Sequence, residues 1–179
     1  DRGDTSQFGW QVMALKSAQL AGVEIPEKTQ AGMLNFLRSV STGRQGGLAS
    51  YRPGEASSRT MTAEALVCRV FLGVQPSSAA VEEAASFISE KPPGLEQMNL
   101  YYWYYATLAM YQLQDRDWHR WNSALQKRLL DAQIRQGDQA GSWNSDTVWG
   151  GYGGRAYTTA MACLCLEVYY RFLPLYGQR

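Results

Sequence analysis

The sequence predicts an all-α protein of seven helices arranged in an inner and an outer layer. Three observations carry this. Apolar residues recur at helical spacings almost throughout, and no segment keeps the strict alternation of a half-buried strand. Charge-poor helices alternate with helices that carry Lys, Arg and Glu along one side, which implies an inner set buried all round and an outer set with a solvated face. The charge-poor helices also share a short core: "QVMA" at 11–14, "TAEA" at 62–65, "YATL" at 105–108 and "TAMA" at 159–162, with starting points 51, 43 and 54 residues apart. Periods of that size mark a repeated helical hairpin, whose units bury their apolar faces only by stacking.

The first helix starts near Thr5 or Ser6, either of which can cap it, and ends near Ala21 before Gly22. "IPEKTQAGMLNFLRSV" (25–40) follows, with Pro at its first turn. Residues 43–58, "GRQGGLASYRPGEASS", read as a loop. Helices from about Ser58 to Gly73 and from about Ser77 to Glu90 come next, the second ended by "KPPG". The fifth helix, from about Glu96 to Gln114, contains "NLYYWYYATLAMYQ" and no charge after Glu96. Its five consecutive aromatics, Tyr101 to Tyr105, go all the way round a helix at about 100° per residue, so they form no single wall. The stretch reads as an inner-layer helix. Its apolar centre, Leu100 to Leu113, is short of the ~20 residues a bilayer span requires. Asp117 is the expected cap of the sixth helix, whose Trp118, Trp121, Leu125, Leu129 and Ala132 form one stripe. The loop 135–155 is glycine-rich, with Trp149 and Tyr152 expected to tuck under helix ends. The last helix runs from about Ala156 to Phe172 and stops at Pro174.

The 179 residues form one domain, 1–179, which opens at the lip of a helix and is expected to be cut from a longer chain. Seventeen Lys and Arg are interleaved with sixteen Asp and Glu, which argues against the clustered basic face that nucleic-acid binding calls for. Three cysteines form no disulfide framework. Cys163 and Cys165 point roughly 200° apart on a helix and cannot share a metal. Buried free thiols are expected. None of this assigns a compartment.

"LLDAQIRQGDQAGSW" (129–143) resembles the QW motif of squalene cyclases, in which an outer helix ends in Gln, then Gly, then an aromatic residue. Gln133, Gly137 and Trp143 fill those roles, with a longer Gly-to-Trp spacing than the usual motif. "GGRAYTTAMACLCLEVYY" (153–170) is similar to the inner helix that follows such a motif in prenyltransferase and squalene-oxidase repeats. A degenerate copy lies at 36–51, with Ser41 in place of the Gln and Tyr51 at the aromatic position. The resemblance implies an α/α toroid. With about three and a half helix pairs where a closed ring needs about six, it implies a toroid-like open arc of about seven alternating inner and outer helices.

Three chemistries go with that resemblance. Polyene cyclisation needs an acidic cluster, and the candidates are "DRGD" (1–4) and the pair Asp115 and Asp117, which sits in a turn where carboxylates cap helices. Protein prenylation needs Asp, Cys and His converging on zinc. The single histidine, His119, opens an outer helix, and nothing places it near Cys68, Cys163 or Cys165. The CGEQ thioester motif is missing, as are a G-x-S-x-G elbow, a P-loop and a dinucleotide fingerprint. No catalytic residue, metal ligand or cofactor is therefore assigned. "GGYGGR" (150–155) offers amides to an anion or serves as a plain connector.

In a toroid, the loops before the inner helices and the inner-helix faces line the cavity. This implies a ligand-binding set of Trp10, Tyr51, Arg59, Glu64, Tyr101, Tyr104, Arg155 and Tyr157. A pairing of Arg59 or Arg155 with Glu64 or Glu55 would brace adjacent repeats. The expected function is a scaffold or ligand-binding module, with an apolar or isoprenoid small molecule as partner and neither nucleic acid nor a membrane span. Two alternatives stand beside it. One is a fragment of a terpenoid-cyclase or prenyltransferase-like enzyme acting on an isoprenoid. The other is a self-associating domain whose exposed inner faces are covered by a second copy, as a homodimer, or by the rest of the parent chain.

Overall fold

Residues 3–75, 77–94, 96–114 and 116–171 are described by a computed structural model. They contain α1 (Thr5–Leu20), α2 (Glu27–Val40), β1 (Ser41–Thr42), β2 (Leu48–Ala49), α3 (Arg59–Phe71), α4 (Ser78–Ser89), α5 (Leu100–Leu113), α6 (Arg116–Ala132) and α7 (Gly150–Arg171). The chain divides into two units, Asp1–Ile88 and Ser89–Arg179. Among the described residues, no helix is long and apolar enough to cross a membrane.

Side-chain caps set the helix starts. Asp4 caps α1, accepting from the Gln7 amide at 3.1 Å and the Ser6 hydroxyl at 2.7 Å. The expected caps Thr5 and Ser6 are displaced because Thr5 is buried and donates its hydroxyl to Ser50 O at 2.7 Å. Ser58 caps α3. Asn99 caps α5 by accepting from the Tyr102 amide, so the helix starts later than Glu96. Asp117 lies inside the first turn of α6, while Asp115 falls outside the described residues. α7 begins with one helical turn, and Gly154 (φ 68°, ψ −171°) breaks it from the long segment that follows. Phe172 and Pro174 fall outside the described residues.

In the first unit, α3 is buried on every face from Met61 to Phe71. It lies against α1, α2 and β2. The approach to α1 is close enough that a Cβ on Gly9 would collide with the carboxylate of Glu64, itself fully buried. Beside α3, the stretch read as a loop contains a hairpin pairing Ser41 with Ala49 and Thr42 with Leu48. Two-residue strands are too short to leave an alternating pattern. Two distant charged side chains hold the turn of this hairpin. Arg69 of α3 donates to Ser41 Oγ (2.8 Å), Gly46 O (3.0 Å) and Gly47 O (3.1 Å). Glu83 of α4 accepts from the amides of Arg44 (2.7 Å), Gln45 (3.1 Å) and Gly47 (2.9 Å). Its carboxyl is held below the usual range, first by the Gly47 amide and then by those of Arg44 and Gln45, against a smaller desolvation cost. The turn lies so flat on α4 that a Cβ at Gly47 would strike Ala80 O.

In the second unit α5 packs against α6 and α7. The α6 stripe is as the sequence predicts, with Trp118, Trp121, Leu125 and Leu129 all buried. Trp121 meets Tyr102 edge-on at 5.8 Å and donates its indole N–H to Thr107 Oγ1 at 3.0 Å. The QW-like residues form a clasp after α6. Gln133 donates to Gly141 O at 3.0 Å, Gly137 turns the chain at φ 75°, and buried Trp143 donates to Leu129 O at 2.8 Å.

The two units share one connection at positions that the sequence repeat aligns. The Ala49 amide donates to Thr62 Oγ1 at 3.0 Å, and the Trp143 amide donates to Thr159 Oγ1 at 3.2 Å. In each case the chain returning from the second helix of a hairpin, α2 or α6, is tied to the first threonine of the shared core. Ala49, and not Tyr51, thus takes the place of Trp143. The expectation that all inner helices are buried all round holds for α3 and α5 only. α1 lies against α3, and α7 against α5 and α6. Their far faces leave Ala14, Ser17, Ala160 and Cys163 exposed.

Two measurements test these contacts. Gly9→Ala forces a Cβ into the Glu64 contact and should lower unfolding free energy by about 1–3 kcal/mol in denaturant titration. Gly32→Ala, in an open stretch of α2, should raise it by roughly 0.5–1 kcal/mol. Equal effects of the two would refute the close α1–α3 approach. Because the folded-state pKa of Glu83 is depressed, its stabilisation is complete above the unfolded carboxylate range and is lost as pH falls through the folded value. Glu83→Gln should therefore lower stability at pH 7 and flatten its decline in acid, a difference visible in thermal melts at pH 7 and pH 3.

Candidate functional site

Four of the eight candidate ligand residues, Trp10, Tyr51, Arg59 and Glu64, lie in the first unit and four, Tyr101, Tyr104, Arg155 and Tyr157, in the second. In the first unit Glu64 is enclosed between α3 and Gly9. Trp10, the next residue along α1, is partly exposed. Tyr51 follows β2, where its carbonyl accepts from the Thr5 amide at 3.0 Å and its ring lies 5.3 Å from the Arg52 guanidinium. Arg59 turns to α4, donating to Phe87 O at 2.9 Å with its guanidinium 4.4 Å over the Phe87 ring.

In the second unit Tyr104 is buried, with its ring 5.3 Å from that of Tyr105, which in turn stands 5.2 Å from half-buried Tyr101. Burial pushes the Tyr104 hydroxyl up to about 12 and raises half-buried Tyr157, and the Cys165 thiol adds to both shifts. Tyr157 packs where a Cβ on Gly153 would lie. Arg155 donates to Ser142 Oγ (3.3 Å), Trp143 O (3.3 Å) and Asn144 Oδ1 (3.0 Å). These groups are neutral, so the expected carboxylate partner is replaced by the loop itself, and Glu55 is exposed. Glu64 and Tyr104 are core residues.

Other expectations change too. Cys68 and Cys165 are buried free thiols, both pushed up chiefly by burial, whereas Cys163 is exposed. His119 is exposed. Trp149 and Tyr152 do not tuck under helix ends: they are 48% and 91% exposed. Among the described residues, no three His, Cys, Asp or Glu side chains converge to hold a metal ion.

Among the described residues of the first unit, a concave feature lies between α1 and α2. A cleft of about 240 Å³ opens there, with Val12 and Leu15 of α1, Ile25, Met33 of α2, and Phe71 and Leu72 as apolar lining. Lys16, Gln19 and Gln30 stand among them. A second groove of about 230 Å³ continues past Met33 toward Phe8 and Phe36. The cleft exists because α2 stands off α1 at its start: Glu27 to Gly32 are all exposed, and α2 first becomes buried at Leu37. The corresponding α5–α6 hairpin is filled by Trp118 and Trp121. Inspection of the sequence misses this site because its walls are ordinary apolar helix residues. The one signal is the absence of a large apolar side chain in the first two turns of α2, "EKTQAG".

Compared with protein-family models, curated proteins and solved structures, the chain matches none of them.

The Tyr104 assignment is testable. Its folded pKa of about 12 lies above the ordinary tyrosine value of 10. The folded state therefore holds its proton longer than the unfolded one, so stability is complete below pH ~10 and falls as pH rises toward 12. Tyr104→Phe should remove that part of the alkaline decline, read from melts between pH 9 and 11.5. An unchanged alkaline profile would show that this hydroxyl is solvated.

Proposed function

We propose that the chain is a squalene cyclase- and prenyltransferase-like helical repeat module that acts by holding an apolar or isoprenoid small molecule, with the α1–α2 cleft as its binding site. The repeat reading rests on the Thr62 and Thr159 connections and on the Gln133–Trp143 clasp. The binding reading rests on one observation: the α1–α2 hairpin is open over an apolar floor of Val12, Ile25 and Phe71, where the α5–α6 hairpin is filled by tryptophan. Small-molecule sites are concave and combine apolar walls with a few placed polar groups; here the apolar floor is joined by Lys16, Gln19 and Gln30, and polar atoms supply the larger share of the open lining. At about 240 Å³ the cleft is below the ~300 Å³ of a drug-sized site, so it suits a short chain.

Calorimetric titration with geraniol and 1-octanol tests this. Saturable binding is expected with a Kd of about 0.1–1 mM, the range for ligands of roughly ten heavy atoms. Leu15→Trp and Met33→Trp, which fill the cleft from opposite walls, should each weaken it at least tenfold while circular dichroism stays unchanged. Binding that neither folded variant disturbs would place the site elsewhere.

A further inference from the structure

We infer that the preferred occupant of the α1–α2 cleft is a single-chain carboxylate, its chain on the apolar floor and its acid group at Lys16. This rests on the binding reading above and adds the head group. Among the described residues lining the cleft, one is a cation, Lys16, and none is an acid. Lys16 donates to a neutral amide oxygen, Gln19 Oε1, at 3.2 Å. By contrast Lys91 and Lys127 each pair with a carboxylate.

The hydrogen-bonding groups around Lys16 point the same way. Three backbone acceptors near the end of α1 already receive amides: Ser17 O and Ala18 O receive that of Ala21, Ala18 O also receives that of Val23, and Gln19 O receives that of Gly22. Ile25 O receives Gln30 Nε2 at 2.9 Å. Donor capacity remains. An ammonium has three N–H groups and a side-chain amide two, so Lys16, Gln19 and Gln30 keep N–H groups beyond the bonds just named. A rim of this kind complements an anion that accepts several hydrogen bonds. The cleft is small, about 240 Å³, so a single short chain such as that of octanoate is the suitable probe.

Calorimetric titrations of the whole chain with octanoate, 1-octanol and octylamine, each below its micelle concentration, separate the possibilities. Octanoate is expected to bind about tenfold tighter than 1-octanol, the scale of one charge-assisted hydrogen bond at a half-exposed site, with octylamine weakest. Lys16→Gln should bring octanoate down to the level of 1-octanol without changing 1-octanol itself. Raising ionic strength should weaken only octanoate. Octanoate and 1-octanol binding equally in the unsubstituted protein would overturn the carboxylate assignment and leave the cleft as a neutral apolar site. No saturable binding of any of the three, or full binding to Leu15→Trp, would overturn the cleft reading itself.

Discussion

A helix that is apolar all round has to be covered all round, and part of that cover is loop. Loop backbone brought against a buried helix loses its water, and each N–H or C=O left unmatched there costs about 1–3 kcal/mol. Much of this structure follows from meeting that requirement around α3 and α5. Thr62 and Thr159 take the amides of the two returning chains. Arg69 takes the carbonyls of the 46–47 turn while Glu83 takes the amide of buried Gly47 and, at the surface, those of Arg44 and Gln45, so one short segment has its donors and its acceptors met by opposite charges from two helices. In the second unit Trp143 reaches back to Leu129 O, and Arg155 fixes the loop through Ser142, Trp143 and Asn144. The polar residues that look like functional candidates in a mostly apolar chain are, in several cases, the groups that allow a loop to be buried.

This explains which parts of the fold were legible in the sequence. The α6 stripe could be read because water on one side forces a pattern: Trp118, Trp121, Leu125 and Leu129 recur where a helix meets its neighbour. All seven helices were expected; α1 and α5 start at the caps Asp4 and Asn99, which compete with neighbours of similar chemistry, and α7 starts early with a turn at Gly150 that Gly154 sets off. Burial of α1 and α7 was not legible. Apolar composition says that a helix can be covered, not that a neighbour is there to cover it. The β1–β2 hairpin was invisible for a different reason, since its conformation is imposed by Arg69 and Glu83 from outside the segment. Trp149 and Tyr152 went wrong in the same way: aromatic character predicted burial, while the ordered turn at 147–153 holds both toward solvent.

The candidate site was least legible because a cleft is made by what is missing. Nothing marks Val12, Leu15 or Met33 as lining residues. They do so because "EKTQAG" at the start of α2 supplies no large apolar side chain to close on them, where α6 supplies Trp118 and Trp121. Open lining of this kind forfeits dispersion contacts, since atoms facing a gap have partners on one side only. A ligand that restores those contacts binds the folded state and not the unfolded one, so its affinity and the stability of the first unit are coupled. Phe71 and Leu72 at the end of α3 form part of that lining, and Arg69, one turn back on the same helix, holds the 46–47 turn.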